Sequence, residues 1–430
     1  MKNVLVFPCG SEIALEVYRA AIHSAHFHLV GASSVNDHGR FVYEDYVDGV
    51  PFITEPGFID SIKKIIADRK IDAVYPAMDA VIEILKSHEK ELGVPVISSP
   101  VETTRICLSK SATYKHLEKL VRTPRLYTEK ELEDAESLPY PLFAKPDIGY
   151  GSRGAKKLNS AVELKAHLES FPTCIVTEYL PGEEFTIDCF SDKDGNLIFS
   201  APRKRIRVMN GISVHTAPVK NDLASFDQMA QQINAAMNFR GAWFFQAKYD
   251  SLGKLALMEV ASRFGGSSSL FRAQGVNFAL MSIFDAFDIP VSLLRNHYNV
   301  EMDRALDNKY KVSIDYNEVF VDFDDCIYLE KKNVNEALMA FLFRCINKGI
   351  KVSLLSRHDD VKLGRLEDLL QKLRIAQVFD RVIHIDPSQK KIDFIDNTNA
   401  IFIDDSFAER KAVAEKFNMP VFSLDMVEVL

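Results

Sequence analysis

The chain contains no apolar run approaching the ~20 residues that a membrane-crossing helix requires, so no membrane partner is expected. It has no C-x-x-C pair. The six cysteines, Cys9, Cys107, Cys174, Cys189, Cys326 and Cys345, are scattered, and several lie inside apolar runs. This disfavours zinc knuckles and a disulfide framework, and it points to free thiols in a reducing cytosol. A cytoplasmic location is therefore expected. Concentrated basic charge is also missing. The formal net charge is -8, with acids and bases mixed along the chain, which argues against nucleic-acid partners and anionic membrane surfaces. There is no internal repeat and no low-complexity tract. The apolar stretch Val4 to Phe7 is too short for a signal-peptide core and reads as a first strand.

The chain does have length and apolar content. At roughly 150 residues per domain, its 430 residues suggest about three domains. With 47% hydrophobic residues, each can bury a core. Residues 1–100 alternate strand and helix signals. Strands are expected at Val4–Phe7, Leu29–Ala32, Ala73–Tyr75 and Val94–Ile97, with helices opened at Gly10-Ser11, near Ile62–Ile66 and over Ala80–Leu92. That alternation predicts a parallel sheet with helices on both faces. The middle third reads as α+β with a mostly antiparallel sheet, its strands at Leu142–Lys145, Ile175–Glu178, Phe185–Phe190 and Leu255–Val260. A polar stretch from about Val300 to Asn317 suits a linker or a last strand pair. Beyond 318 the alternation returns. Strands are expected at Val319–Val321, Val352–Leu355, Val382–Ile383, Ile401–Ile403 and Val421–Phe422. One helix is expected over Val334–Lys348, stopped at Gly349, and another through Leu373.

Three central segments carry chemistry. Lys145 ends a strand and is followed by Gly149, Gly151, Ser152 and Gly154. Glycines let backbone N–H groups approach phosphate oxygens, and Lys145 can add a positive charge there. Alone, this is equally well a glycine-rich turn beside a lysine. The second segment, Glu178-Tyr179-Leu180-Pro181-Gly182-Glu183-Glu184, ends a strand in a turn with two carboxylates. Its backbone at 178–180 could meet a purine edge and Glu184 a ribose, or it could be a solvated acidic turn. The third, Glu259-Val260-Ala261-Ser262-Arg263-Phe264-Gly265-Gly266, ends another strand, with Gln246 on the strand before it. A carboxylate beside an amide oxygen suits magnesium, and Arg263 could steady a phosphoryl group. A structural ion pair is the competing reading of Glu259 and Arg263. Arg203, Lys204, Arg205 and Arg207, with His215 beyond, read as an anion site or a solvated basic strand.

In this order, the segments resemble the ATP-grasp superfamily over about residues 101–300, with residues 1–100 similar to the domain that precedes ATP-grasp in its ligases. The resemblance implies that Lys110 and Lys145 meet ATP phosphates, together with the loop residues Gly151 and Ser152. It implies that Glu178 and Leu180 border adenine, Glu184 holds ribose, Gln246 and Glu259 bind magnesium, and Arg263 contacts the phosphoryl group or substrate. Manganese is an alternative metal. The usual E-h-N-x-R pattern has an asparagine where this chain has Ala261, a residue with no ligating atom.

The C-terminal third has its own constellation. Asp322 and Asp324 sit at alternate positions beyond a strand end, where one acid can attack phosphorus and the other protonate a leaving oxygen. Ser356 ends the next strand, Lys391 opens a later helix, and Asp404-Asp405 follows another strand. These four elements resemble the haloacid-dehalogenase-like (HAD) phosphohydrolases over about residues 317–430. The resemblance implies Asp322 as nucleophile, Asp324 as general acid/base, Ser356 and Lys391 as phosphate binders, and Asp404 and Asp405, with the first pair, as metal acids. The family often has Gly-Thr where Asp325-Cys326 stands, and Lys390 competes with Lys391. The spacing to Ser356 leaves no room for a large cap.

The expected architecture is thus α/β and α+β multidomain. It comprises a Rossmann-like domain (1–100), an ATP-grasp domain (101–305) and an uncapped HAD-like Rossmannoid domain (317–430). The expected function is ATP- and magnesium-dependent joining of a small carboxylate to an amine through an acyl phosphate, with an associated phosphatase. A carbamoyl-phosphate-synthase-like step on bicarbonate is a near relative. The alternative is a phosphohydrolase whose ATP-grasp part only binds nucleotide. A homodimer is compatible with either.

Overall fold

A computed structural model describes residues 1–149, 154–296, 298–307, 309–310 and 312–430. The chain forms two compact units, Met1–Asp307 and Asn308–Leu430. The expected first and second domains lie together in the first unit. Among the described residues, no helix is long and apolar enough to cross a membrane.

The first unit begins with a four-stranded parallel sheet. Its strands are β1 (Lys2–Phe7), β2 (Phe27–Ala32), β3 (Asp45–Val47) and β4 (Ala73–Pro76), in the order β3-β2-β1-β4. Val4, Leu5, Val6 and Phe7 are all buried, the continuous apolar run of a strand covered on both faces. Ser11 caps the helix Glu12–Ala21 by accepting from Ala14 N, a side-chain oxygen satisfying one of the orphan donors of the first turn. Two expectations need correction. Val94–Ile97 is not a strand, and only a single bridge joins Val96 to Val74. The expected helix over Ala80–Leu92 is two helices, Asp79–Ser87 and Glu89–Leu92, divided at His88.

A small antiparallel sheet follows: β5 (Leu142–Pro146), β6 (Lys156–Leu158) and β7 (Cys174–Glu178), ordered β6-β5-β7. The larger antiparallel sheet contains β8 (Glu184–Ser191), β9 (Leu197–Met209), β10 (Ile212–Pro218), β11 (Gly241–Tyr249), β12 (Leu255–Ala261) and β13 (Met302–Asp303), ordered β12-β11-β8-β9-β10-β13. Strand side chains alternate between faces, and here the two faces differ sharply. Phe185, Ile187, Cys189, Trp243, Phe245, Ala247 and Leu257 form one face. They pack with Phe226, Met229, Ala230 and Ile233 of the helix Leu223–Ala236. The intervening residues, Glu184, Thr186, Asp188, Gln246 and Lys248, lie on the other. A separate core holds Val4, Val6 and Ile13 together with Phe199, Phe264, Phe271 and Phe278, so the first sheet and the large sheet share one apolar interior.

The second unit is built on a five-stranded parallel sheet. Its strands are β14 (Glu318–Val321), β17 (Lys351–Ser356), β18 (Arg381–His384), β19 (Ala400–Ile403) and β20 (Val421–Phe422), ordered β18-β17-β14-β19-β20, and a two-stranded ladder β15 (Tyr328–Leu329) and β16 (Asn333–Val334) follows β14. The helix Glu336–Asn347 ends two residues before Gly349, which takes a positive φ of 72°; glycine tolerates that conformation because it lacks Cβ. The expected helix through Leu373 is again divided, into Asp360–Leu363 and Leu366–Lys372 with Gly364 between. Lys391 begins a 3-10 turn, Lys391–Phe394, in place of the expected helix.

Candidate functional site

In the first unit, the polar face of the large sheet gathers the expected residues. Gln246 and Glu259 are direct cross-strand partners on β11 and β12, with a β-bulge immediately after Gln246. Bulges re-aim side chains locally. Directly opposed residues present their side chains on one face, so an amide oxygen and a carboxylate share a site. That all-oxygen pair fits magnesium, which takes hard oxygen ligands. Ala261 opposes Phe244 one step further along and is 8% exposed, so the sheet carries a methyl group beside Gln246 and Glu259.

Lys145 arrives from β5. Its Nζ donates to Tyr114 Oη at 2.5 Å and to the Met258 carbonyl at 3.1 Å, one residue before Glu259. Tyr114 Oη also donates to Met258 O at 2.5 Å. Burial pushes the Lys145 ammonium down to about 8, opposed by Glu259 and assisted by Lys110. Desolvation disfavours the charged form of a lysine, so an arriving anion would restore it. Lys110 opens the helix Lys110–Leu117, capped by Ser109, and its Nζ donates to the carbonyls of Asp147 and Gly149 at 3.3 Å each. Lys110 and Lys145 therefore flank the start of the glycine loop. Gly151 and Ser152 lie outside the described residues.

Other expected ligand residues already have protein partners. The Glu178 carboxylate accepts from Arg122 and, at 2.8 Å, from Arg125 N, so it braces β7 and does not stand free beside a base. Leu180 is buried and suits an apolar wall. Glu184 Oε1 lies 2.7 Å from Arg205 Nε, an ion pair that ties β8 to β9. Arg263 forms a two-pronged pair with Asp79 at 2.8 and 2.7 Å, and its guanidinium lies 5.5 Å from the Phe244 ring centroid. The pair keeps Arg263 protonated, and because Asp79 opens a helix of the first sheet region, it fastens the end of β12 to that region. Asp79, Arg122 and Tyr114 were not visible as partners in sequence, because each sits far along the chain in an unremarkable local pattern, and Arg205 stood out only as one of a basic cluster. Of the basic cluster, Arg203 pairs with Asp188 inside the protein, Lys204 with Glu183, Arg207 with Asp303, and His215 Nε2 with Glu301 at 2.5 Å.

In the second unit, Asp322 follows β14, Asp404 follows β19 and Ser356 ends β17, so the strands' carboxyl ends converge as ligand crevices do in open α/β sheets. Lys391 Nζ bridges Asp322 Oδ1 and Asp404 Oδ2, both at 2.7 Å. Burial, with help from Asp404 and against Lys391, raises the Asp322 carboxyl to about 7. Lys391 is buried in this cluster, whereas Lys390 is exposed. Ser356 Oγ is buried and, among the described residues, without a hydrogen-bond partner, as a phosphate-binding hydroxyl would be. Asp324 departs from its expected place among metal acids, since both oxygens face His358 Nδ1, at 3.0 and 2.8 Å. His358 Nε2 in turn lies 2.7 Å from the Gly364 carbonyl. Asp404 is likewise engaged, by Lys391 and by Ser406 N at 2.8 Å. Among the described residues, the group with mutual reach is Asp322, Cys326 and Asp405, whose side-chain donor atoms lie within 4.8 Å of one another. Cys326 and His358 are the residues that sequence reasoning did not place in this site.

Comparison with known proteins agrees with the first unit. Residues 170–307 match a family model described as ATP-grasp in the biosynthetic pathway with Ter operon. A D-alanine--D-alanine ligase of Thermotoga petrophila is 31% identical over 108 residues, covering 24% of this chain and 36% of the ligase. The chain thus spans about a third of that relative's length. Among solved structures, the fold is similar to an L-amino acid ligase from Bacillus licheniformis (TM-score 0.55, 18% identity, 69% of this chain and 75% of that one). It is also similar to the biotin carboxylase domain of 2-oxoglutarate carboxylase from Hydrogenobacter thermophilus, solved with MgADP, ADP and bicarbonate (TM-score 0.56, 15% identity, 69% and 71%).

Proposed function

We propose that this chain, whose first unit has the ATP-grasp fold of a ligase superfamily that uses ATP and magnesium, activates a small carboxylate for attack by an amine. The observation that carries the reading is the direct pairing of Gln246 with Glu259 on the polar face of the large sheet, with Lys145 held one residue away at the Met258 carbonyl. Gln246 and Glu259 would hold magnesium, which neutralises charge on the transferring phosphate. Lys145 and Lys110 bind phosphate oxygens, and the lowered affinity of Lys145 for its proton makes it responsive to an anion. Arg263, fixed by Asp79, orients the acid. A carboxylate oxygen then takes the terminal phosphoryl group, the bond to the β-phosphate breaks, and ADP leaves. An amine attacks the acyl carbon, the C–N bond forms, and phosphate departs with the former carboxylate oxygen while the amine proton passes to solvent. The acid could be bicarbonate, as in the carboxylase neighbour, or an amino acid, as in the ligase neighbours.

The test is ADP release from MgATP against a panel of carboxylic acids and amines, bicarbonate and amino acids included. Release that needs both an acid and an amine, and that is lost in Lys145→Ala and Glu259→Gln, supports the reading. Tight ATP binding with no stimulated release across the panel defeats it and turns attention to Ala261.

The second unit supports a separate, HAD-like phosphohydrolase reading, favoured by the buried Asp322–Lys391–Asp404 cluster at the strand ends. Asp322 would attack phosphorus, displacing an oxygen that Asp324 protonates, and water would then release phosphate from the aspartyl group. Lys391 and Ser356 would hold the phosphoryl oxygens, while Asp322 and Asp405 would offer oxygen donors to magnesium; burial keeps the neighbouring Cys326 thiol protonated. Magnesium-dependent phosphate release from an aryl phosphate, absent in Asp322→Asn, is the measurement. No release by the wild-type chain removes this reading and leaves the ligase reading untouched.

A further inference from the structure

One row of the large sheet reaches beyond the metal pair. Arg203 on β9 opposes Thr186 on β8, Thr186 opposes Gln246 on β11, and Gln246 opposes Glu259 on β12. Opposed residues share a face, so these four side chains form one line across four strands. With neighbouring strands about 4.8 Å apart, the Arg203 backbone lies about 10 Å from that of Gln246.

Arg203 is 2% exposed, and Asp188 is fully buried. Arg203 Nε donates to Asp188 Oδ2 at 2.6 Å. The pair is incomplete: among the described residues, Arg203 Nη1 and Asp188 Oδ1 are both buried without a hydrogen-bond partner. Buried charges are normally compensated at every donor and acceptor, because an unmet one retains its desolvation cost. The neighbouring arginines are differently placed. Arg205 Nε also lacks hydrogen-bond geometry, but it lies 2.7 Å from the opposite charge of Glu184, and Arg205 donates to the Gly211 carbonyl; Arg207 meets Asp303 at the surface, and Arg263 spends two nitrogens on Asp79. Gly265 covers the guanidinium of Arg203. A Cβ on Gly265 would lie 2.9 Å from Arg203 Nη2, 3.5 Å from Asp188 Oδ1 and 3.8 Å from the Phe244 ring. Arg263 stacks over that same ring. Two guanidinium groups therefore converge on Phe244 and Gly265, beside the row that carries Gln246 and Glu259.

We propose that Arg203 binds the carboxylate of the acid substrate, with Asp188 setting its orientation and the bare backbone of Gly265 leaving it room. This rests on the ligase reading and assigns the acid to a place within it. A planar guanidinium matches a planar carboxylate in a fork geometry that an ammonium cannot copy. Two strands of separation from the metal pair places the bound acid alongside the transferring phosphate and not on top of it.

The test uses the full chain saturated with magnesium and a non-hydrolysable ATP analogue, with acetate as probe. Saturation-transfer NMR gives the acetate dissociation constant, and inorganic phosphate serves as competitor. Acetate should bind the wild-type chain, and phosphate should compete only at higher concentration. Arg203→Lys keeps a cation beside Asp188, so the fold is retained, yet acetate should weaken about tenfold or more, as expected for a lost charge-assisted hydrogen bond. Gly265→Ala should weaken acetate similarly by displacing the guanidinium. The analogue's affinity should be unchanged in both. Equal acetate binding in wild type and Arg203→Lys overturns the proposal, as does wild-type protein that holds the analogue but not acetate. Phosphate binding in preference to acetate overturns the assigned ligand class. Failure of the wild-type chain to bind the analogue is a different result, since it removes the ligase reading itself.

Discussion

Replacing Lys145 with methionine should make the nucleotide-free protein more stable, by an amount that depends on pH. Lys145 is buried, and its affinity for a proton falls from the ordinary 10.5 to about 8. At about 1.36 kcal/mol per pKa unit, that drop corresponds to a penalty of roughly 3 kcal/mol. Below pH 8 the lysine is charged in both folded and unfolded chains, so the folded state carries the whole penalty. Between pH 8 and 10.5 the unfolded chain holds a proton that the folded chain has released, so stability rises with pH. Above 10.5 the penalty is gone. The advantage of Lys145→Met over wild type should therefore be greatest at pH 7 and shrink by about 2 kcal/mol by pH 9.5. Loss of the bonds to Tyr114 and Met258 shifts the curve by a constant without altering its slope. The chain has one tryptophan, Trp243, fully buried on β11 and stacked on Phe239 at 4.0 Å. Its fluorescence during urea unfolding reports on the first unit directly. A stability difference that stays flat from pH 7 to 9.5 would refute the argument that burial sets the proton affinity of Lys145.

Asp79→Ala removes both contacts of a half-buried guanidinium and should cost about 1–3 kcal/mol in the same fluorescence assay, between the cost of an exposed pair and that of a fully buried one, and ADP release should fall with it. Ala261→Asn supplies the missing oxygen next to Glu259 and should lower the magnesium concentration needed for half-maximal ADP release several-fold, at a packing cost of about 1–3 kcal/mol; an unchanged magnesium requirement would show that Ala261 does not limit the metal. In the second unit, the Asp322 carboxyl is raised from 3.8 to about 7 by burial. The folded state therefore holds a proton the unfolded chain has lost, and stability falls as pH rises from about 4 to 7. Asp322→Asn should abolish that fall, which hydrogen exchange at Leu354 and Ile401 can follow.

The reach of the sequence follows the range of the interactions. Caps, strand ends and glycine stops are local, and Ser11, Lys145, Asp322 and Gly349 were placed by their neighbours alone. The order of Lys145, Glu184, Gln246 and Glu259 was legible through its resemblance to the ATP-grasp pattern, although Gln246 and Glu259 lie within β11 and β12 and not at their ends. Their partners were not. Asp79 meets Arg263 across 184 positions of chain, and His358 meets Asp324 across 34; nothing in either local pattern announces the contact. Val94–Ile97 looked like a strand because it is apolar, but it makes only one bridge to the sheet. The β9–β10 hairpin was legible only as a basic strand with His215 beyond it, and its bounds were not, since its exposed basic half lacks apolar alternation.

The two-faced sheet also separates what the protein does from whether it holds together, and it does so by the parity of residue numbers. On β8, positions 184, 186 and 188 bear reactive or charged groups while 185, 187 and 189 fill the interior. On β11 the same split falls between 244, 246 and 248 and their odd-numbered neighbours 243, 245 and 247. Variation can therefore rewrite the substrate of such a protein one alternate position at a time, while the interleaved positions stay still. A lineage exploring new acids would leave a comb-like trace of change along these strands.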